Sequence, residues 1–167
     1  QIKERAIATP TYGFLEAHYD NNTAQQTKYL ESDLRLTDLV RDRLNYVLYM
    51  DNKGVAFVQR GINLDTREEI VPFPPTLQRQ LFHLSEIGQE YLSKEIFGYY
   101  NTREGLYLVV NVPIKRPDGT GGGRGSILAV RVLNDVDIAT IGNQVACQIE
   151  RVDRKSTRLN SSHSSVS

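Results

Sequence analysis

The sequence has a single cysteine, Cys147, and no tryptophan among its 167 residues. One thiol excludes an intrachain disulfide and any metal site built from several cysteines. No run of apolar residues approaches the roughly 20 that cross a bilayer, and no signal peptide is present. Twenty basic residues balance 20 acidic ones, so the basic excess typical of nucleic-acid binding is missing and no nucleic-acid partner is expected. The remaining composition, 40% hydrophobic and 24% charged, is typical of one globular domain.

The two ends of the chain differ from ordinary domain sequence. The chain begins at Gln1 without a methionine, which predicts a piece of a longer protein. Residues 154–167, RKSTRLNSSHSSVS, carry almost no apolar side chains and cannot contribute to a core. A flexible linker is one interpretation of this tail. We favour another, because the string resembles a translated sequencing-adaptor tail, and we leave it out of the fold prediction as non-native.

The pattern of apolar residues changes from helical to strand-like near residue 45. Pro10 predicts the start or a kink of a helix within residues 1–21, and Thr23 is the predicted N-cap of the next helix. The turn Asp51-Asn52-Lys53-Gly54 joins the clearest pair of strands. Predicted helices cover 23–31, 37–44, 76–84 and 136–141; predicted strands cover 46–50, 55–60, 96–100, 106–114, 126–133 and 144–152. This order predicts an α+β fold with an antiparallel sheet of about five strands and N-terminal helices packed on it.

Three features that could carry chemistry have simpler explanations. The glycine-rich string 119–125 leads into a strand and lacks a Lys-Ser/Thr pair, which favours a flexible hairpin connection over a phosphate-binding loop. His18 and His83 have no carboxylates at metal-ligand spacing, so no metal is expected, although pH sensing by His18 stays open. Cys147 has no partner set for nucleophilic catalysis and is predicted to be a buried structural thiol. We expect no catalytic residue and no cofactor, and the chain is not predicted to be an enzyme.

The tyrosines indicate a small-molecule pocket more strongly. Nine are present, and a tyrosine on a strand can bury its ring while its hydroxyl binds a ligand. Arg131 interrupts an apolar strand, so its guanidinium needs either an internal carboxylate or an anionic ligand. Structural ion pairing is the favoured alternative for Arg131, and ligand contact is the other. The candidate ligand-binding residues are Tyr49, Tyr99, Tyr107 and Arg131, and the predicted pocket lies between the sheet and loop 61–75.

Three elements, in this order and spacing, resemble the fourth class of CHASE domains over about residues 8–150. They are the strand that ends in Asp-x-x-Gly at Asp51–Gly54, the pair Pro113-Ile114 before the glycine-rich loop, and the Gly-x-x-x-x-x-Arg-x-Leu element at Gly125–Leu133. The family usually has a Trp-Asp pair on its first helix, and this chain has no tryptophan. The contribution of that helix to the family's site is therefore not carried over.

The resemblance implies a Cache-like, PAS-related sensor on the periplasmic or extracellular side of the membrane, from a histidine kinase or diguanylate cyclase receptor. Such receptors act in two-component or cyclic-di-GMP signalling, with membrane-spanning helices flanking the sensor. Residues 1–21 are then the helix that follows the first span, residues 22–153 the sensor, and residues 154–167 the non-native tail. We expect an unknown small-molecule ligand and a homodimer formed through the N-terminal helix. Two alternatives stay open: a dimerisation or transmission module without a ligand, and an intracellular PAS-like sensor.

Overall fold

The computed structural model describes residues 2–70, 73–82 and 94–164, with side chains for all of these except residues 82 and 151–164. The chain divides into two compact units, residues 1–132 and 133–167. His83 and the predicted helix end at residue 84 lie outside the described residues. In the part of the chain that is described, no helix combines the length and the apolar character that a bilayer crossing requires.

Four helices precede the sheet. They are α1 (Ile2–Ala6), α2 (Thr9–Tyr19), α3 (Thr23–Ser32) and α4 (Leu36–Asp42). Pro10 lies in the first turn of α2, where its missing N–H costs no helical hydrogen bond. The predicted N-cap Thr23 is wrong by one position, because the Asn22 side chain accepts the hydrogen bond from the backbone N–H of Gln25. The chain leaves α4 through Arg43, whose φ of 56° lies in the left-handed region.

Five strands form one antiparallel sheet in the order β2-β1-β5-β4-β3. They are β1 (Tyr46–Asp51), β2 (Ala56–Gly61), β3 (Ile96–Thr102), β4 (Gly105–Pro113) and β5 (Gly125–Leu133), and α5 (Pro75–Phe82) lies between β2 and β3 in the sequence. The hairpin β1–β2 is the one predicted from the turn at residues 51–54. The predicted α+β class, with about five antiparallel strands and N-terminal helices, is confirmed.

Strand β1, which lies between β2 and β5, is buried on both faces, which explains its nearly continuous apolar sequence. Val47 and Tyr49 on one face join the core formed with the N-terminal helices. Leu48 and Met50 on the other face join a second core, which includes Leu77 and Leu81 of α5. We call the first side of the sheet the helical face and the second side the α5 face.

The glycine-rich string forms the predicted connection between two strands, β4 and β5. Gly121 has a φ of 78°, and a Cβ placed on it would lie 2.7 Å from the Tyr12 hydroxyl oxygen. Both the backbone conformation and the lack of space exclude a side chain at Gly121. The glycine therefore lets the loop pack closely against α2 at this point. The string is therefore a connection between two strands, as the strand that follows it predicts.

The predicted strand at 144–152 is wrong, because a single helix, α6 (Asp135–Ser164), covers that segment. The alternation of Val145, Cys147 and Ile149 with polar residues suggested a strand. The same valine and isoleucine, with Ile138 and Ile141, also recur at spacings of three and four residues, which is the helical period. The Cys147 side chain is exposed, so the prediction of a buried structural thiol is also wrong.

Candidate functional site

A cleft of about 520 Å³ opens to solvent on the helical face, among the four N-terminal helices. Each of these helices contributes to its walls, and most of the lining side chains are polar or charged. The residues that line it are Glu4, Arg5, Ala8, Pro10, Thr11, Tyr29, Ser32, Asp33, Arg35, Asp38, Arg41 and Asp42. Small-molecule sites are usually concave and lined mostly by apolar side chains with a few convergent polar groups, and this cleft differs from that form because its lining is mainly polar and charged.

Arg5 of α1 lies at the base of the cleft, and only 14% of its side chain is exposed. Its guanidinium donates to the backbone carbonyl of Asp33, just after α3, and lies 3.6 Å from the Asp42 carboxylate at the end of α4. Burial lowers the pKa of Arg5, but its interactions with the hydroxyls of Tyr49 and Tyr29 outweigh that effect, so the pKa lies above its usual value. Arg5 therefore stays charged and connects α1 to both α3 and α4.

A chain of three hydroxyls continues from the cleft into the core. The Thr11 Oγ1 lies 2.9 Å from the Tyr29 hydroxyl, which lies 2.7 Å from the hydroxyl of Tyr49 on β1. The Phe14 ring stacks on Tyr29 with its centroid 4.2 Å away and fixes the orientation of that ring. Burial raises the pKa of Tyr49 well above its usual value, so this phenol is neutral at physiological pH. This chain of hydroxyls joins the wall of the cleft to strand β1.

Charged residues of α4 and the segment before it form the outer wall of the cleft. The Asp38 carboxylate is almost fully buried and accepts from the backbone N–H of Arg35 at 2.9 Å. It also pairs with the guanidinium groups of Arg35 and Arg41, at 3.3 and 3.4 Å. Burial raises the pKa of Asp38, but the hydrogen bonds and the two positive charges lower it by a larger amount. Its pKa therefore lies below the usual 3.8. Arg35 and Arg41 themselves are more than half exposed and extend towards solvent.

The cleft presents charges of both signs, three arginines and four carboxylates, beside hydroxyl groups. A guanidinium binds a carboxylate or phosphate through two parallel hydrogen bonds, and a carboxylate accepts from an ammonium or a hydroxyl. The arrangement therefore suits a small polar ligand with charged groups of both signs. Among the residues that the structure describes, no group of three or more His, Cys, Asp or Glu side chains could hold a metal ion.

The four candidate residues predicted from the sequence do not line one cavity in the described structure. Tyr49 is fully buried on the helical face and reaches the cleft through its hydrogen bond to Tyr29. Arg131 lies on β5 and donates from Nε to the backbone carbonyl of Arg43 at 2.8 Å, and from Nη2 to that of Asp42 at 3.3 Å. Its partners are the carbonyls at the end of α4, where a positive charge is favourable, and it thus holds α4 against the sheet.

The other two candidates lie elsewhere. Tyr107 is buried in the core of the α5 face, where burial raises its pKa. Tyr99 lies on β3 with half of its surface exposed. Ile70 and Phe73 of loop 61–75 pack in the core that contains Tyr107, whereas Ile62 of the same loop and the cleft described above lie on the side of Tyr49.

His18 takes part in a separate cluster. Its ring stacks on Phe57 with the centroids 3.9 Å apart, and its Nε2 lies 3.5 Å from Oδ2 of Asp51. Asp51 uses its other carboxylate oxygen to accept from the backbone N–H groups of Lys53 and Val55 in the β1–β2 turn. The cluster therefore connects α2 to this turn, away from the residues that line the cleft.

Sequence reasoning missed the principal residues of the cleft, Arg5, Tyr29 and Asp38. One signal was present for Arg5, which lies three residues after Ile2 and one before Ala6 on the apolar side of a short helix. A charge in such a position needs a partner, as we argued for Arg131. Tyr29 and Asp38 carry no comparable signal, because both lie in segments that also fit ordinary amphipathic helices.

Comparison with known proteins places the chain in a family. The CHASE4 domain model matches residues 4–150, and no curated protein matches significantly. Two solved structures are similar. One is described as the extracellular domain of a histidine kinase, vpHK1S-Z8, with 15% identity over 77% of this chain and 46% of that chain, and a TM-score of 0.49. The other is a domain of a sensory box/GGDEF family protein from Vibrio parahaemolyticus, with 12% identity over 78% of this chain and 50% of that chain, and a TM-score of 0.47.

This chain thus spans about half the length of the solved structures that it matches. The family match covers α1 from Glu4 onwards, the next four helices, the whole sheet and the first half of α6. It includes every residue that lines the cleft, and it agrees with the resemblance that the sequence motifs indicate. The chain belongs to the CHASE4 family of sensor domains.

Proposed function

We propose that this chain is the extracellular or periplasmic ligand-sensing part of a membrane-bound signalling receptor, of the histidine kinase or diguanylate cyclase type. Membership of a sensor-domain family supports the sensing role. The observation that carries the ligand site is the position of Arg5, a mostly buried guanidinium at the base of a solvent-open cleft. The ligand that fits this cleft is a small polar molecule with charged groups of both signs.

The binding step follows from the walls of the cleft. An acidic group of the ligand pairs with the exposed guanidinium groups of Arg35 and Arg41, and a basic group pairs with the Asp33 carboxylate. Arg5 already connects α1 to the ends of α3 and α4. A ligand that binds one arrangement of these helices more tightly than another therefore shifts the population towards it. In this proposal α1 is the element whose position reports the ligand.

A thermal-shift screen tests this proposal. The panel contains zwitterions such as amino acids and betaines, organic acids, amines and neutral polyols. A ligand at 100 times its dissociation constant adds about 2.7 kcal/mol to the free energy of unfolding, which raises Tm by several degrees in a domain of this size. We expect a zwitterion to give the largest increase in Tm. A folded protein that no compound stabilises would instead favour a dimerisation or transmission module without a ligand.

Two variants test whether the ligand that raises Tm binds in the cleft. Arg35→Gln removes a half-exposed guanidinium from the wall of the cleft, and we expect it to abolish the increase in Tm. Arg79→Gln makes the same change on the exposed side of α5 and serves as the matched control, which keeps the increase. A ligand whose effect survives Arg35→Gln unchanged binds outside the cleft.

A further inference from the structure

The edge of the sheet formed by β3 carries an unusual apolar surface. Phe97 is 64% exposed and Tyr99 is 50% exposed, and their rings contact each other edge to face at 5.6 Å. Both side chains point to the same face because they are two residues apart on one strand. Exposed aromatic pairs on an edge strand favour association with a further strand.

The backbone of β3 is also arranged to accept a strand. Within the described residues β3 has β4 as its one neighbour in the sheet. Thr102 and Gly105 face each other across a two-residue turn, so the hydrogen bonds to β4 recur at Thr102, Tyr100, Gly98 and Ile96. The N–H and C=O groups of the residues between them, including Tyr99, therefore point away from β4.

The strand is complementary in charge to a second copy of itself. When two copies of β3 run antiparallel with Tyr99 opposite Tyr99, residue 95 faces residue 103, and residue 94 faces residue 104. These pairs are Glu95 with Arg103 and Lys94 with Glu104, which are opposite charges at both ends. The rings of Phe97 and Tyr99 from the two copies then lie together on one face.

We propose that β3 is a dimer interface, at which two copies of this chain join their sheets through an antiparallel β3–β3 pair centred on Tyr99. A two-fold axis through this pair makes the contact self-complementary and closed. Two existing contacts are compatible with it. The Lys3–Glu95 ion pair has both side chains more than half exposed, and Glu104 uses one carboxylate oxygen for the Thr76 hydroxyl. Neither contact occupies the outward backbone groups of the strand. The outward carbonyl of Asn101 accepts from the Gln80 side-chain amide at 3.4 Å, and pairing with a second copy replaces this hydrogen bond.

Disulfide trapping tests the register directly. In the full chain with Cys147→Ser, Tyr99→Cys places two cysteines opposite each other at a hydrogen-bonded pair, about 5.5 Å apart between Cα atoms, which a disulfide spans. Asn101→Cys is the matched control on the same strand and face. Residue 101 faces residue 97 of the partner, so its two copies lie about 13 Å apart. We expect oxidation to give a covalent dimer for Tyr99→Cys and monomer for Asn101→Cys.

A charge exchange supplies an independent measurement by analytical ultracentrifugation. Glu95→Arg alone is expected to raise the dimer dissociation constant by about tenfold, because the repulsion occurs twice in a symmetric pair. Adding Arg103→Glu should restore the dissociation constant, and Lys3→Ala controls for the loss of the Lys3–Glu95 pair. Equal disulfide trapping at residues 99 and 101 would overturn the proposal. A protein that stays monomeric at 100 times the concentration used for trapping would also overturn it. A dimer whose dissociation constant is unchanged by Glu95→Arg would do the same, and contact through the N-terminal helix predicts that result.

Discussion

The hydroxyl oxygens of Tyr29 and Tyr49 lie 2.7 Å apart, which joins α3 to strand β1 of the sheet. Both side chains are almost fully buried, and both interact with the guanidinium of Arg5. A buried hydroxyl that keeps its partners strengthens a fold, and one that loses them destabilises it. The Tyr29–Tyr49 pair therefore makes the shape of the cleft depend on the sheet beneath it.

The first prediction concerns this pair. Tyr49→Phe removes a hydroxyl at a site where its ring still fits, so the Tyr29 hydroxyl and Arg5 each lose a partner. We expect the free energy of unfolding to fall by about 1–3 kcal/mol, measured by urea denaturation. Tyr99→Phe is the control, because its hydroxyl is on an exposed side chain and its loss should change stability by less than about 0.5 kcal/mol. Equal effects of the two substitutions would contradict the role of the hydroxyl chain.

The second prediction concerns the attachment of α1. Arg5→Met keeps much of the side-chain volume but removes the bonds to the Asp33 carbonyl and the Asp42 carboxylate. We expect a loss of about 2–4 kcal/mol and faster amide hydrogen exchange at the end of α3. Lys3 lies on the same helix as Arg5, and Lys3→Met removes its exposed ion pair with Glu95. This change should lower the free energy of unfolding by less than about 1 kcal/mol. If Lys3→Met costs as much as Arg5→Met, Arg5 does not anchor the helix.

The third prediction separates structure from ligand contact at Arg131. Arg131→Ala removes two hydrogen bonds to the last carbonyls of α4, and we expect stability to fall by about 1–2 kcal/mol. Because the guanidinium lies against α4 and does not line the cleft, the increase in Tm caused by a ligand should stay the same. A normal Tm without ligand, combined with a lost response to ligand, would show that Arg131 binds the ligand itself.

The fourth prediction concerns acid stability. The pKa of Asp38 is lower in the folded chain than its usual 3.8, so the unfolded chain binds this proton more readily. The stabilisation is therefore complete above about pH 4–5 and is lost as the pH falls through the folded-state pKa. Asp38→Asn should be less stable than the parent chain at neutral pH, and the difference should shrink in acid. Urea denaturation at several pH values measures it, with Asp65→Asn in an exposed loop as the control.

The sheet was predictable from the sequence because its signals are local. The turn at Asp51–Gly54 and the β-branched residues around it specify a hairpin by short-range rules. The end of the chain was not predictable in the same way. Val145, Cys147 and Ile149 alternate with polar residues and also fit a helical stripe, and nothing local decides between the two periods.

The candidate site depends on contacts that are distant in the sequence. Arg5 meets residues 28 and 37 positions further along the chain, and no short-range pattern encodes that pairing. Tyr49 was selected for its ring and hydroxyl on a strand, and the structure places that hydroxyl beside the cleft. The reasoning that selected Tyr107 was the same, but alternation along β4 directs this side chain to the α5 face. The choice between the two faces needs the three-dimensional fold.

The most direct test of the account is a calorimetric titration with the compound that most raises Tm, using two variants. Arg41→Gln alters the wall of the cleft on the helical face, and Tyr107→Phe alters the α5 face beside loop 61–75. The account predicts that Arg41→Gln weakens binding at least tenfold, because a charge-assisted hydrogen bond is lost, while Tyr107→Phe leaves the dissociation constant unchanged. The opposite result, unchanged binding by Arg41→Gln and weaker binding by Tyr107→Phe, would contradict the cleft as the ligand site and place the ligand on the α5 face.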